Sequence, residues 1–406
     1  MPPRIVITGL GTVTPLGENL ADSWTALLAS RDAAAPLELF DTTGYRCHHA
    51  ATAPLPPLPD FSPKARGRFP RASRLALPAA REALAQAGLL DEAGHSRLPI
   101  LPLSVSSTAG GMAFGENFLR AVLAQGKTRL LSQVSRYLPH QQVLDLQQAL
   151  QIQGPSTLIA NACASGANAL GHAADLISLG DAECVLTGGF EALSELVFAG
   201  FDCLQATTLD RCRPFDLNRS GLLLGEAAAF LVLESADHAR NRGAVPLAEL
   251  TGYGHTTDFF HLTQPQPDGS ALVEVMRAAA RLAGIEPAQI GYINAHGTAT
   301  PINDGTEARA YQAFLGESLP RTRLSSTKAA IGHTLGAAGA IEAVFALQAL
   351  RAGHLPPQLN LQKPIPEMAP ALVASGESVS DLRHVMSVNL GFGGSNAALI
   401  FSQYEP

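Results

Sequence analysis

Strand-like and helix-like stretches follow one another along this chain, and the residues with chemistry stand where one gives way to the other. Ser156-Thr157-Leu158-Ile159-Ala160 is β-branched and aliphatic, as a strand interior is, while Ala169, Leu170, Ala173, Ala174 and Ile177 recur at helical spacing between Ala167 and Leu179. Between them lies Asn161-Ala162-Cys163-Ala164-Ser165-Gly166, so the pattern predicts a strand followed by a small-residue helix with one thiol at its start. A second passage of the same kind runs from Ser325-Ser326-Thr327-Lys328 into Ile331-Gly332-His333-Thr334-Leu335-Gly336-Ala337-Ala338-Gly339. The spans Cys163 to Asp181 and Gly332 to Gly353 form a faint internal repeat, each opening on small residues and continuing as an apolar-faced helix to a glycine. Two such helices can pack back to back at close range, with Cys163 and His333 at their N-termini. A division between residues 1–244 and 245–406 falls near Gly243 to Val245, after Leu233-Glu234-Ser235-Ala236 and a charged helix, and reads as a seam within one unit.

Two further segments end in chemically useful residues. The apolar run Ile290 to Ile293 leads to Asn294-Ala295-His296-Gly297-Thr298-Ala299-Thr300-Pro301, placing His296 at the mouth of a strand. Val388-Asn389-Leu390-Gly391-Phe392-Gly393-Gly394-Ser395-Asn396 is a glycine turn entering the apolar strand Ala397 to Phe401. Each segment alone has a plain structural reading, since buried cysteines, core histidines and glycine turns are common. Taken in order they supply a nucleophile, two imidazoles, a cation and a source of backbone N–H donors, which together suffice for acyl transfer. A thiol at a helix start meets unpaired N–H groups and the positive end of the helix dipole, an arrangement expected to lower its pKa.

Composition narrows the alternatives. The 406 residues, 46% hydrophobic and 16% charged, are enough for a large core and two to three domains' worth of structure. The longest uninterrupted apolar run, near Ala227 to Leu233, is far short of a membrane span, and Pro2-Pro3-Arg4 leads into a short strand instead of a signal-peptide apolar region. Five cysteines, an odd number, fit reduced thiols and a cytoplasmic location. No C-x-x-C or H-E-x-x-H spacing occurs, so no metal is expected. Gly9-Leu10-Gly11 lacks the third glycine of a dinucleotide fingerprint, with Thr14 in its place, and Ser325-x-x-Lys328 lacks the other boxes of the serine acyl-enzymes it matches. Ala50 to Pro63, rich in Pro and Ala, reads as a surface excursion.

On these motifs the chain resembles the β-ketoacyl-acyl-carrier-protein synthases of the elongating type, within the thiolase superfamily. The similarity extends from Arg4-Ile5-Val6-Ile7-Thr8-Gly9-Leu10-Gly11 to Ala397-Ala398-Leu399-Ile400-Phe401. His333 makes the set Cys-His-His, where branches primed by acyl-CoA have Cys-His-Asn. Thiolases carry a second catalytic Cys near the C-terminus, and here no Cys follows Cys212. The resemblance implies an α/β thiolase-like fold, a five-layer α/β/α/β/α sandwich of two similar halves, the first holding the nucleophile and the second the His/Lys/His set and glycine loop. It implies Cys163, His296, Lys328 and His333 as catalytic residues and Phe392 as oxyanion donor and gate. Thr298, Thr300 and Thr263 correspond to contacts of a phosphopantetheine arm, and Gly115 falls near a position that limits chain length, where it would leave room.

The implied reaction is decarboxylative condensation of a Cys-bound acyl group with malonyl-acyl carrier protein, in fatty-acid or specialised polyene or polyketide synthesis. No cofactor is implied beyond the phosphopantetheine of the carrier. Acyl carrier protein is the expected partner, with a homodimer or a heterodimer with a chain-length-factor-like subunit, and neither nucleic acid nor membrane. Such a carrier is acidic and the chain's net charge is −7, so a local basic patch has to steer docking. Lys64, Arg66, Arg68, Arg71 and Arg74, with Lys127 and Arg129, are the densest cationic groups available. Alternative readings are a structural chain-length-factor-like subunit that retains its Cys, and an acyltransferase that does not condense.

Overall fold

The computed structural model describes residues 3–58, 61, 69–126 and 131–405. Its strands are β1 (Ile5–Val13), the short ribbon β2 (Ala35–Pro36) and β3 (His49–Ala50), β4 (Leu103–Ser106), β5 (Ser156–Ile159), β6 (Cys184–Glu191), β7 (Ala227–Ser235), β8 (Ala248–Thr257), β9 (Tyr292–Asn294), β10 (Arg323–Ser325), β11 (His384–Leu390) and β12 (Ser395–Ser402). Ten of them hydrogen-bond in the order β10-β9-β11-β12-β8-β1-β7-β6-β4-β5. The run divides into β1-β7-β6-β4-β5 and β8-β12-β11-β9-β10, which have the same topology: the first strand of each set pairs antiparallel with the last, and the second and third lie parallel at the far side. Among the described residues, the strands of the two sets pair through β1 and β8 alone, at Val6↔Glu249 and Ile7↔Ala248.

Because the joint is so narrow, the two sets can face each other across an enclosed layer. Helices Ser165–Ser178 and Ala338–Ala352 occupy it, each following the third strand of its half and each touching strands of both halves. Helix Arg71–Gln86 covers β1 and β7 from outside, and helix Ser270–Ala283 covers β8 and β12, completing α/β/α/β/α layering. Strands enclosed on both faces carry unbroken apolar runs, as Ala227-Ala228-Ala229-Phe230-Leu231-Val232-Leu233 does in β7, with every residue buried. The internal repeat is this duplication.

Small residues set the distance between the central helices. A Cβ on Gly166 would stand 2.5 Å from the Ala340 nitrogen, and one on Gly339 would stand 2.3 Å from the Ala167 nitrogen. Helix Ala338–Ala352 is buried around nearly its whole circumference, and its poor amphipathicity follows from that position. Together with the preceding turn, Leu335–Ala352 is apolar and long enough to cross a membrane, but 83% of it is buried at the centre of the protein.

Two local expectations change. Cys163 lies in a 3₁₀ turn, Ala162–Ala164, and His333 precedes another, Leu335–Ala337, so both stand just outside the helices they introduce. The Pro/Ala-rich stretch is not an excursion where it is described. Ala51, Ala53 and Leu58 are buried, because the half-buried Arg71 guanidinium bonds the Ala53 carbonyl and the Glu226 carboxylate, drawing the segment onto the core.

Candidate active site

Of the four candidate catalytic residues, Cys163, His296 and His333 are each flanked by backbone in the left-handed region. Ala162, immediately before Cys163, has φ 59°, and Ser165 Oγ closes the turn by bonding the Asn161 N–H (2.8 Å) and the Ala162 carbonyl (2.5 Å). Gly297 follows His296 at φ 38°, its N–H held by Glu307 at 2.7 Å, and Ala299 follows at φ 63° with its N–H on Asp304 at 3.1 Å. Gly332 precedes His333 at φ 72°, and Leu335 follows at φ 50°. The His333 backbone is clamped on both sides, its N–H to the Leu223 carbonyl (2.6 Å) and its carbonyl to the Gly225 N–H (3.0 Å). Left-handed conformations in non-glycine residues cost free energy, so packing and buried hydrogen bonds maintain them.

These turns bring the Cys163 sulfur and ring nitrogens of His296 and His333 within 4.8 Å of one another. The His333 Nε2 lies 3.1 Å from the sulfur, and the two imidazoles meet edge to face with centroids 5.4 Å apart. Tautomers follow from the opposite nitrogens. His333 Nδ1 accepts the Leu335 N–H at 3.1 Å, which leaves the proton on Nε2. His296 Nδ1 faces the Lys328 ammonium at 3.2 Å, and the same nitrogen cannot then carry the ring proton. Both Nε2–H groups therefore point into the site as donors. Such an arrangement suits a developing oxyanion; a metal ion would need those nitrogens unprotonated.

Lys328 is anchored from three sides: it also donates to the His296 carbonyl at 2.7 Å and forms an ion pair with Glu342, whose other oxygen accepts from Asn389 Nδ2 at 2.6 Å. Sequence reading found Lys328 but missed Glu342, Asn389, Glu307 and Asp304 as supports. Glu342 and the pair Asp304 and Glu307 were legible only as acidic residues inside otherwise apolar or small-residue helices.

Burial governs the proton affinities. It pushes the Cys163 thiol up to about 11, against the opposing pull of Lys328 and of the Phe392 and Cys163 backbone N–H groups that lie against the sulfur. The expectation of a lowered thiol pKa is thus reversed: desolvation outweighs the turn's N–H groups. His296 is held well below its usual range by burial, then by Lys328 and His333, and His333 by burial and Lys328. Both imidazoles stay neutral above pH 6.5, while the thiolate fraction grows with pH up to about 11. Alkylation of Cys163 by iodoacetamide, followed by peptide mass spectrometry to separate it from exposed Cys203, is expected to accelerate about tenfold per pH unit from 7 to 9. A plateau within that range would contradict the raised pKa.

A cavity of about 300 Å³ opens onto Cys163, His296 and His333. Thr263, Thr298 and Thr300 line it, and the Thr298 and Thr300 hydroxyls share a hydrogen bond of 3.0 Å. Phe392 lies across the cavity with 36% of its surface exposed and stacks on Phe201, centroids 5.7 Å apart; Gly393 beside it has φ 80°. Gly115 does not line this cavity, and the space left by its missing side chain is filled by Tyr137, whose ring carbon would lie 2.6 Å from an added Cβ. Of the docking candidates, Arg71 is committed to Glu226 and Ala53, and Arg74 is half-buried on the same helix. Lys64, Arg66, Arg68, Lys127 and Arg129 lie outside the described residues.

Known proteins share this organisation. The family description "Beta-ketoacyl synthase, N-terminal domain" matches residues 3–239, and "Beta-ketoacyl synthase, C-terminal domain" matches residues 247–362. The chain belongs to the β-ketoacyl synthase family. It is 34% identical to the 3-oxoacyl-[acyl-carrier-protein] synthase 2 of Staphylococcus aureus (strain COL), over 99% of both chains. Among solved structures it is similar to the ishigamide ketosynthase/chain length factor, at 32% identity and TM-score 0.90 over 100% of both chains. It is also similar to the complex of AntDE with AntF, a type II polyketide acyl-carrier protein with its ketosynthase, at 26% identity and TM-score 0.89 over 100% of both chains.

Proposed function

We propose that this protein condenses a Cys163-bound acyl group with malonyl-acyl carrier protein, releasing CO2 and a β-ketoacyl-acyl carrier protein. The observation that carries the reading is the convergence of one thiol and two Nε2–H donors at a single cavity. In the first half-reaction the Cys163 sulfur attacks the acyl thioester carbon, and the carrier thiol departs with the proton. The backbone N–H groups of Cys163 and Phe392 receive the oxyanion. In the second, the malonyl carboxylate leaves as CO2, and its bonding pair becomes an enolate whose oxygen accepts from His296 and His333. That carbanion attacks the acyl carbon, the carbonyl reforms as the Cys163 sulfur leaves, and the thiolate takes up one proton from solvent. Neutral imidazoles suit this step because they donate without needing to be charged first.

Lys328 serves to fix the His296 tautomer, Thr298, Thr300 and Thr263 to hold the phosphopantetheine arm, and Phe392 to cover the thiol between the two half-reactions. The enzyme works in the cytoplasm as two halves divided at residues 244 and 245. It works as a dimer, for β5 is an edge strand of the sheet and Leu119, Leu123, Val134, Leu138 and Leu144 are exposed within residues 112–150 beside it. A chain-length-factor-like role is disfavoured by the intact thiol and both aligned imidazoles.

The test is intact-protein mass spectrometry with a panel of acyl carrier proteins, followed by malonyl carrier protein. A Cys163 adduct discharged as a product two carbons longer supports condensation, and the panel then identifies the chain preferred. An adduct that malonyl carrier cannot discharge would favour a non-condensing acyltransferase. No adduct from any donor would favour a subunit dependent on a partner.

A further inference from the structure

Another buried carboxylate, absent from the chemistry above, spans the joint between the two halves. Glu191 ends β6 with no solvent exposure, and each of its oxygens accepts three hydrogen bonds. Oε1 takes the Ser107 hydroxyl (3.1 Å) and the Ala109 and Gly110 N–H groups (2.8 and 3.0 Å). Oε2 takes the Thr108 N–H and hydroxyl (2.8 and 2.6 Å) and, from the other half, the Gly336 N–H at 3.1 Å. The Gly336 carbonyl is held in turn by Ser106 Oγ at 2.9 Å. Gly336 thus has both its backbone polar groups bound by the first half, and a Cβ there would stand 2.8 Å from the Glu191 oxygen and from the Thr108 nitrogen. The preceding residue, Leu335, is the strained one whose N–H sets the His333 ring.

We infer that Glu191 is a positioning residue for His333: it pins the Leu335–Gly336 turn, and through that turn directs the His333 Nε2–H. The same carboxylate orders Ser107 to Gly110, and Gly110 lines a second cavity of about 180 Å³ together with Gly111, Phe114 and Leu193. The His333 donor is thereby tied to the wall of that cavity. The groups bonded to Glu191 are Ser107, Thr108, Ala109, Gly110 and Gly336, whereas the first half-reaction takes its oxyanion donors from the Cys163 and Phe392 backbone, so the larger loss is expected in the second half-reaction. A hundredfold loss is what a misplacement of about 1 Å can cost a step that depends on aligned donors.

The inference rests on the condensation reading, and the experiment separates the two. Glu191→Gln keeps size and removes charge, and either orientation of its amide turns an NH2 toward backbone N–H groups. In this variant, Cys163 acylation measured by intact mass is expected to stay within about threefold of wild type, while CO2 release from malonyl carrier protein falls about 10- to 100-fold. Gly336→Ala, which strikes the same contact with Glu191 in place, should show the same split and carries the test if Glu191→Gln fails to fold. Equal loss of both half-reactions, as a smaller folded fraction would produce, or no loss of either, overturns the positioning role. If wild-type protein performs neither half-reaction, the proposed function itself falls, and this inference with it.

Discussion

Replacing Cys163 with alanine is expected to eliminate the acyl adduct and reduce condensation by at least about a thousandfold, yet leave CO2 release from malonyl carrier protein within about tenfold of wild type. The two halves of the reaction draw on different atoms. Acyl transfer needs the sulfur, whereas decarboxylation needs donors for an enolate oxygen, and both Nε2–H groups are set from behind by Leu335 and Lys328 with no help from the thiol. The converse variant, His296→Ala, should keep the adduct and lose decarboxylation by about 100- to 1,000-fold, the effect of deleting one well-placed oxyanion donor. Radiolabelled CO2 release and intact mass, run side by side, measure the pair. If Cys163→Ala abolished decarboxylation as thoroughly as condensation, the sulfur would have to take part in the enolate step and this division of labour would be wrong.

The order of strand, turn and small-residue helix made the Cys163 and His333 passages legible, because a close helix crossing demands Gly and Ala at the contact and the sequence repeats that demand twice. Gly166 and Gly339 are the residues that carry it. What could not be read was anything decided by three-dimensional burial. The position of Cys163 at a helix start suggested an acidic thiol, and only the closed layer around it reveals the desolvation that reverses the shift. Glu342, Asn389 and Glu191 were illegible for a related reason: a lone carboxylate or amide in sequence does not say which distant N–H or ammonium it will meet. Arg71 looked like a surface cation until Glu226, 155 positions away, was placed against it.

The Lys328–Glu342 pair provides the sharper test, since it separates stability from chemistry. Both side chains are almost fully enclosed, 1% and 2% exposed, and each charge has the other as its ionic partner. Glu342→Ala would strand the ammonium against one carbonyl and one imidazole, and unfolding free energy should fall by about 3–5 kcal/mol in urea denaturation. The double variant Lys328→Met with Glu342→Leu removes both charges and refills the space, and should return to within about 1–2 kcal/mol of wild type, because a buried ion pair contributes little beyond its own desolvation cost. Activity should not return with it. Without the Lys328 donor, His296 Nδ1 is free to take the ring proton, Nε2 becomes an acceptor, and decarboxylation should stay about 10- to 100-fold down. A double variant that recovered both stability and decarboxylation would mean that Lys328 is a packing element alone, and that some other group sets the His296 tautomer.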